Sequence, residues 1–344
     1  MTDDAALTER RKHPTACRVR TDGPVQVNPA CPSFDGTKSQ GVEPSTRSAP
    51  RRGRPYAHEV NLTLGVMGRL GYCARVDIAD SRPRVAWLVG GHPYDAASLG
   101  RLLDSLDAEV SLITWPTAGE MFTPSGVIRL LQDFDVLALY DMPGIRFRPG
   151  ESPEFVAPSD DIVAAWSALT NRGMPVLGLH HSIASWPTWP GFAEILKGRF
   201  HYAPARLRGV SYPDSGYAMN VKQRFDVAMP DHPVCVGLPT SFELTDETYQ
   251  CPVFDAEVAV LIRTNAPRDD AHHTSAFAAV RRKSDPRWRH SPASDAVAWT
   301  HSYGASQVVY LQPGEGPESF DNHWYRMLVN NAVKWLAELQ RRRQ

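Results

Sequence analysis

The stretch Pro175-Val176-Leu177-Gly178-Leu179-His180-His181-Ser182-Ile183-Ala184-Ser185-Trp186-Pro187-Thr188-Trp189-Pro190 decides how the rest of the chain is read. Val176 to Leu179 is a short apolar run, preceded by a Gly-Met-Pro turn and ended abruptly by two histidines. An apolar run of this length reads as a parallel strand buried on both faces, with its last residues emerging at the carboxyl edge. Small residues and a Trp-Pro repeat follow, where an ordinary connection would carry a cap and an amphipathic helix. In open α/β sheets ligands bind outside the carboxyl ends of the strands, which makes His180 and His181 site candidates. The structural alternative is that one histidine caps the next helix while the other packs under the tryptophans, as half-buried histidines commonly do.

Working upstream, the same alternation recurs. Arg84 to Val89 is an apolar strand that ends in Gly90-Gly91-His92-Pro93, and a helix from about Ala96 carries Leu99, Leu102, Leu103 and Leu106 at helical spacing. Glu109 to Thr114 and Asp135 to Tyr140 read as further strands, with a short helix around Val127 to Leu131 between them. Asp160 to Asn171 reads as a helix, started by the Ser159/Asp160 cap and stopped by Gly173. This β-α-β-α-β-α-β order predicts an α/β fold, a parallel sheet with helices on both faces.

Residues 199–300 break the rhythm. Pro, Tyr, Asp and Gly dominate there, with strand-like pieces at Gln223–Met229, Ser241–Leu244, Val258–Arg263 and Ala296–His301. They predict an inserted lid of loops and mainly antiparallel strands over the sheet's carboxyl edge. The basic run Arg281 to Arg289 contains one aromatic, Trp288, and reads as a solvated loop, since one short run is not a nucleic-acid footprint. Val308 to Leu311 supplies a last core strand. Asp321 to Gln340 supplies a closing amphipathic helix, with Arg341 to Arg343 at its carboxyl end, where positive charge is favoured.

Several blocks together resemble the ThuA-like (trehalose-utilisation) family, which is similar in fold to class I glutamine amidotransferases. They are His180-His181-Ser182-Ile183-Ala184-Ser185-Trp186, Gly198-Arg199-Phe200-His201-Tyr202 and Tyr212-Pro213-Asp214-Ser215-Gly216-Tyr217. Gly90-Gly91-His92-Pro93, Leu139-Tyr140-Asp141-Met142, Asp231-His232-Pro233 and Leu244-Thr245-Asp246-Glu247 add to the resemblance, which runs in order over roughly residues 84–338. It implies a flavodoxin-like, amidotransferase-like sheet and a role in using trehalose, related disaccharides or keto-sugars. The family usually carries histidine where this chain has Glu315. That departure keeps a second expectation open, a carbohydrate-binding or regulatory protein that has lost the chemistry.

The candidate site follows from strand ends. His92 follows the first strand, Asp141 the third, His180 and His181 the fourth, and Glu315 the last, so parallel strands bring these distant segments to one edge. His180, His181, Asp141 and Glu315 are the catalytic candidates. His92, His201, Tyr202, Trp186, Tyr212, Asp214 and Glu247 are the expected substrate-binding residues, the aromatics offering flat walls for a sugar. Imidazoles and carboxylates without a thiolate suit a divalent metal, zinc foremost, with His92, His181 and His201 as its ligands, and they equally suit acid–base chemistry. Glutamine hydrolysis is argued against, because it needs a cysteine nucleophile at the elbow, where His180 stands. The His-x-Glu partner is also replaced, by Pro313-Gly314-Glu315-Gly316.

Bulk properties narrow the partners. With 37 Lys/Arg and 38 Asp/Glu in 344 residues the formal charge is −1, so no whole-protein field favours nucleic acid or an anionic membrane. The charge is uneven, with 13 basic against 9 acidic residues in 1–82 and 24 against 29 beyond. Five scattered cysteines, odd in number and without a C-x-x-C pair, fit a reducing compartment. No apolar run is long enough for a membrane span and no early apolar core suggests a secretory signal, so a cytoplasmic protein is expected. Its expected partner is a small-molecule carbohydrate, with self-association left open. Residues 1–82 read as a tail too polar to fold, set apart from a domain over 83–340. A transit peptide, disfavoured by Asp3, Asp4 and Glu9, and a start placed too early, with translation from near Met67, are the competing readings.

Overall fold

Arg84–Gly90 (β1) is apolar on both faces and sheds water along nearly its whole length, which requires a neighbour strand on each side and a helical layer above and below. A computed structural model provides them, and it describes residues 82–291 and 293–343. The expectations for the segment before residue 82, and for Cys17, Cys31 and Cys73, lie outside the described residues.

The first half alternates strand and helix as the pattern predicts. β1 is followed by α1 (Ala96–Asp104), β2 (Glu109–Thr114), α2 (Pro124–Asp133) and β3 (Val136–Asp141). A small hairpin, β4 (Ile145–Arg146) with β5 (Glu154–Phe155), precedes α3 (Asp160–Asn171), β6 (Val176–Leu179) and α4 (Pro190–Leu196). The helix starts have clear causes. Asp95, Thr123 and Ser159 each accept a hydrogen bond from the main-chain N–H three residues on, at Ser98, Gly126 and Ile162, satisfying donors a helix leaves open.

The second half is antiparallel. The hairpin β7 (Ala205–Leu207) and β8 (Val210–Tyr212) leads to the long strands β9 (Gly216–Val227) and β10 (Ser241–Gln250), then β11 (Ala259–Thr264) and the short β12 (Thr274–Ser275). α5 (Ala276–Val280), β13 (Ala296–Tyr303), β14 (Ser306–Leu311), α6 (Pro317–Phe320) and α7 (His323–Arg341) complete the chain.

Ten strands form one sheet in the order β10-β9-β11-β13-β14-β6-β3-β1-β2, with β12 beside β9. The five from β14 to β2 are mutually parallel, in the flavodoxin-like order 2-1-3-4-5 counted among themselves. From β13 outward every pairing is antiparallel. The inserted region is therefore continuous with the sheet, and its far end supplies the cover over the carboxyl edge. All four strand-like pieces expected there are strands, and β9 and β10 extend well beyond the stretches their patterns suggested.

Two cores flank the sheet. On one face Val85, Trp87 and Val89 pack with Leu99 of α1 and Leu328, Val329 and Leu336 of α7. On the other, Ala86 and Leu88 pack with Val127, Leu130, Trp166 and Phe192 of α2, α3 and α4. The helices thus lie on both faces, as expected. No helix among the described residues is long and apolar enough to cross a membrane.

Candidate functional site

The site is built at the carboxyl edge of the sheet, where β1, β3, β6 and β14 end in adjacent positions. Gly91 sits at φ +80°, and a Cβ there would clash with the Met142 carbonyl, so only glycine lets the turns after β1 and β3 approach. That approach fixes His92 above the sheet edge. At the end of β6 the chain turns sharply at His180, whose φ of +46° is unusual for a residue with a side chain. The elbow shape expected for Gly178 to Ser182 is therefore present, with an imidazole where an amidotransferase carries a thiol. After β14, Gly314 takes φ +136° and hands Glu315 to the same edge.

His180 is fully buried and its ring is saturated with partners. Nδ1–H donates to the Gln312 carbonyl at 2.7 Å, which fixes where that proton lies. Nε2 faces the Glu315 carboxylate at 2.7 Å and the Glu247 carboxylate at 3.1 Å, and the Tyr249 hydroxyl oxygen lies 2.8 Å away. The Tyr310 hydroxyl donates to the His180 carbonyl at 2.6 Å and so braces the strained backbone. Burial would depress the imidazole's affinity for a proton, but the hydrogen bonds and charges of Glu247 and Glu315 outweigh it and hold His180 well above its ordinary value. The two carboxylates divide. Burial raises Glu247 despite its hydrogen bond to His180, whereas the His180 hydrogen bond and charge overcome burial at Glu315 and lower it.

Asp246 positions both. Its Oδ1 accepts from the Glu247 amide at 2.7 Å and the Glu315 amide at 3.2 Å, while Oδ2 accepts from the Gly314 amide at 2.7 Å and from the Ser319 hydroxyl. One buried carboxylate thus ties the insertion's β10 to the loop after β14.

His181 points the other way and behaves oppositely. Its ring stacks on His92 with centroids 4.4 Å apart and lies 4.5 Å from the Tyr140 ring. Neither ring nitrogen has a partner at hydrogen-bonding geometry. Burial, then the charges of His92 and His180, push it well below its ordinary value; only the Tyr140 main chain favours the protonated form, and it is outweighed. A buried polar group without a partner costs on the order of 1–3 kcal/mol, so this ring is an exception that calls for a reason.

Above these groups lies a narrow cleft, open to solvent and lined mainly by aromatic side chains. Its polar floor is His92, Glu247 and Glu315. Phe147, Phe200, Tyr202, Tyr217, Met219 and Tyr249 wall it, with Ala279 and Val280 at the rim.

Of the residues expected from sequence, the structure brings together His92, His180, His181, Glu247, Glu315 and Tyr202. The others are placed elsewhere. The Asp141 carboxylate accepts from the Trp115 indole at 2.6 Å, and burial pushes it up to about 7. Trp186 meets Trp115 edge-on and lines a separate, more open depression with Ile145. Asp214 accepts from the Ser275 hydroxyl and the Phe277 amide, holding the start of α5. Tyr212 packs on His201, and His201 is buried apart from the donor groups, pushed down to about 3 by burial and the neighbouring charges of Arg199 and His290. Tyr249, Phe147, Phe200 and Met219 line the site without having been singled out from the sequence.

A five-strand parallel sheet in flavodoxin order, with a sharp turn that presents histidine at its carboxyl edge, defines a flavodoxin-like α/β protein. The chain belongs to the ThuA family, described by trehalose utilisation, whose sequence profile matches residues 150–336. That membership places it in carbohydrate metabolism. A ThuA-like protein from Parabacteroides merdae superposes with a TM-score of 0.51 at 12% identity, covering 75% of this chain and 90% of that one. Another, from Bacteroides uniformis, gives 0.48 at 18% identity, covering 77% of this chain and 95% of that one. None of the curated proteins matches the sequence.

Proposed function

We propose that the cleft binds a sugar, a disaccharide or its keto derivative, and that His180 with Glu247 and Glu315 transfers a proton on it. The observation that carries this reading is the pair of carboxylates, Glu247 and Glu315, on the floor of an aromatic cleft, both held by the buried His180 imidazole behind them. Aromatic rings such as Tyr202 and Tyr217 offer flat apolar faces to the C–H side of a pyranose, while carboxylates on the floor accept hydrogen bonds from its hydroxyls. Such a triad can both take and return a proton, because the imidazolium balances one carboxylate while the other stays free to accept. A carbon beside a keto group is the sugar position most suited to that exchange. Family membership supports the substrate class, and the elbow position of His180 supports its part in the chemistry.

The test is deuterium exchange into 3-keto and unmodified disaccharides followed by NMR, alongside ligand-induced thermal shifts. The expected result is exchange or turnover with a keto-sugar that falls by about 100-fold or more in Glu247→Gln, the scale of losing a positioned acid–base group. Thermal stabilisation by sugars without exchange or turnover would instead support the binding-protein reading. Absence of both effects with every sugar would reject the proposal.

A further inference from the structure

The histidine pair beside this triad serves a different purpose. We propose that His92, His181 and Glu315 form a binding site for one divalent first-row transition metal ion of the zinc type. The proposal does not rest on the sugar reading, since metal binding is measured without substrate.

Three observations converge. First, each of the three residues offers a donor atom, and these atoms all lie within 4.8 Å of one another. Two donors across one zinc ion sit at most about 4 Å apart, so small rotations of His92 and Glu315 at the cleft floor would close the set. Second, His181 is 3% exposed, and neither ring nitrogen meets hydrogen-bonding geometry, the Tyr140 main chain being its only polar neighbour of that kind. A buried imidazole in that state has a lone pair with nothing to accept, and it lies against the other two donors. Third, His92 Nδ1–H donates to the Pro93 carbonyl at 2.7 Å, which leaves Nε2 as the lone-pair nitrogen. Metal-binding histidines are oriented by this arrangement, the second nitrogen donating to a main-chain carbonyl.

Two imidazoles and a carboxylate, with the remaining positions open, are the donor set of catalytic rather than structural zinc sites. Thiolate is absent from the group, and hard ions such as magnesium and calcium are disfavoured by the two nitrogens. The open positions face the cleft, because His92 and Glu315 both line it. A second group of donors, His180, Glu247 and Glu315, lies alongside and shares Glu315. Its imidazole is already committed, with Nδ1–H on the Gln312 carbonyl and Nε2 against two carboxylates and a tyrosine hydroxyl. The unpartnered imidazole is the one that needs an ion.

The full-length protein, stripped with a chelator and dialysed, is titrated with Zn²⁺ by calorimetry and with Co²⁺ by visible absorption. Metal content is then measured by mass spectrometry. One ion per chain is expected, with Co²⁺ bands of a nitrogen and oxygen site. His92→Ala should weaken binding by more than about 100-fold, beyond the 10- to 100-fold typical of losing only an outer partner. His181→Ala should do the same, and because its ring is buried, circular dichroism accompanies it. His92→Ala, at a half-exposed turn, keeps the test decisive if the other variant unfolds. Glu247→Gln should leave the stoichiometry at one. No binding at millimolar metal would overturn the proposal, as would unchanged affinity in His92→Ala. Loss of the ion in Glu247→Gln but not in His92→Ala would also overturn it, placing the ion in the neighbouring group.

Discussion

His180 owes its position to what surrounds it more than to its own preferences. A left-handed backbone at a non-glycine residue is costly, and here the Tyr310 hydroxyl, the Gln312 carbonyl and the carboxylates of Glu247 and Glu315 over-determine it. The carboxylates are in turn set by Asp246, which accepts from three main-chain amides, those of Glu247 and Glu315 at Oδ1 and that of Gly314 at Oδ2. Asp246→Asn keeps the shape but turns an acceptor into a donor facing those amides. The expected cost is about 2–3 kcal/mol in urea unfolding, the scale of hydrogen bonds to a buried charge, together with weaker sugar-induced stabilisation. A loss under about 0.5 kcal/mol would show that the loops hold themselves. At this scale the sequence was partly legible. His92, His180, His181, Glu247 and Glu315 were readable from strand ends and motif blocks. Tyr249 was not, because the strand pattern is legible only to Leu244, whereas pairing with β9 carries β10 on to Gln250 and sets Glu247 and Tyr249 on one face towards the cleft.

Elements with strong local signals matched their expected bounds, and those defined by distant partners did not. α3 runs over Asp160–Asn171 as read, because Ser159 caps it and Gly173 follows it. β9 begins at Gly216, seven residues before the apolar alternation that announced it, because its first half is held by pairing with β10 and β12. The basic segment Arg281 to Arg289 is a loop, as expected, and Trp288 anchors it. That ring is buried, its indole N–H donates to the Asp214 carbonyl at 3.0 Å, and it lies where a side chain at Gly216 would stand. Trp288→Ala should cost about 3–5 kcal/mol by leaving a large cavity. It should also disturb the cleft, since Ala279 and Val280 of the preceding helix form its rim. A thermal melt with sugar present and absent reads both effects; an unshifted midpoint would show the loop to be unanchored.

For the molecule as a whole, the parallel half was legible because fully buried strands must be apolar throughout, whereas the antiparallel half mixes faces and depends on contacts far along the chain. One buried titratable group in each half sets how stability responds to pH, and the signs differ because one is a base and the other an acid. His301 lies in the antiparallel half, buried on β13, with Nε2–H donating to the Ile195 carbonyl at 2.9 Å. Burial, opposed weakly by that bond, pushes it down to about 4 from an ordinary 6.5. Above pH 6.5 it is neutral folded or unfolded and costs nothing. Below 6.5 the unfolded chain takes up a proton that the folded chain refuses, so stability is lost as pH falls towards 4, at up to about 1.4 kcal/mol per pH unit. Asp141, in the parallel half, has the opposite sign. Burial raises it to about 7 from 3.8, so the folded state keeps a proton that the unfolded state releases, and stability is lost as pH rises from about 4 to about 7. Two variants separate these terms from the rest of the titration. His301→Gln, which can still donate to the Ile195 carbonyl, should gain on the parent as pH is lowered from 6.5 to 4. Asp141→Asn, which can still accept from the Trp115 indole, should gain on the parent as pH is raised over nearly the same range. Urea unfolding of all three proteins between pH 4 and 8 tests both. Parallel curves for a variant and its parent would mean that the residue titrates alike in the folded and unfolded chain, and that its burial is not what the fold imposes.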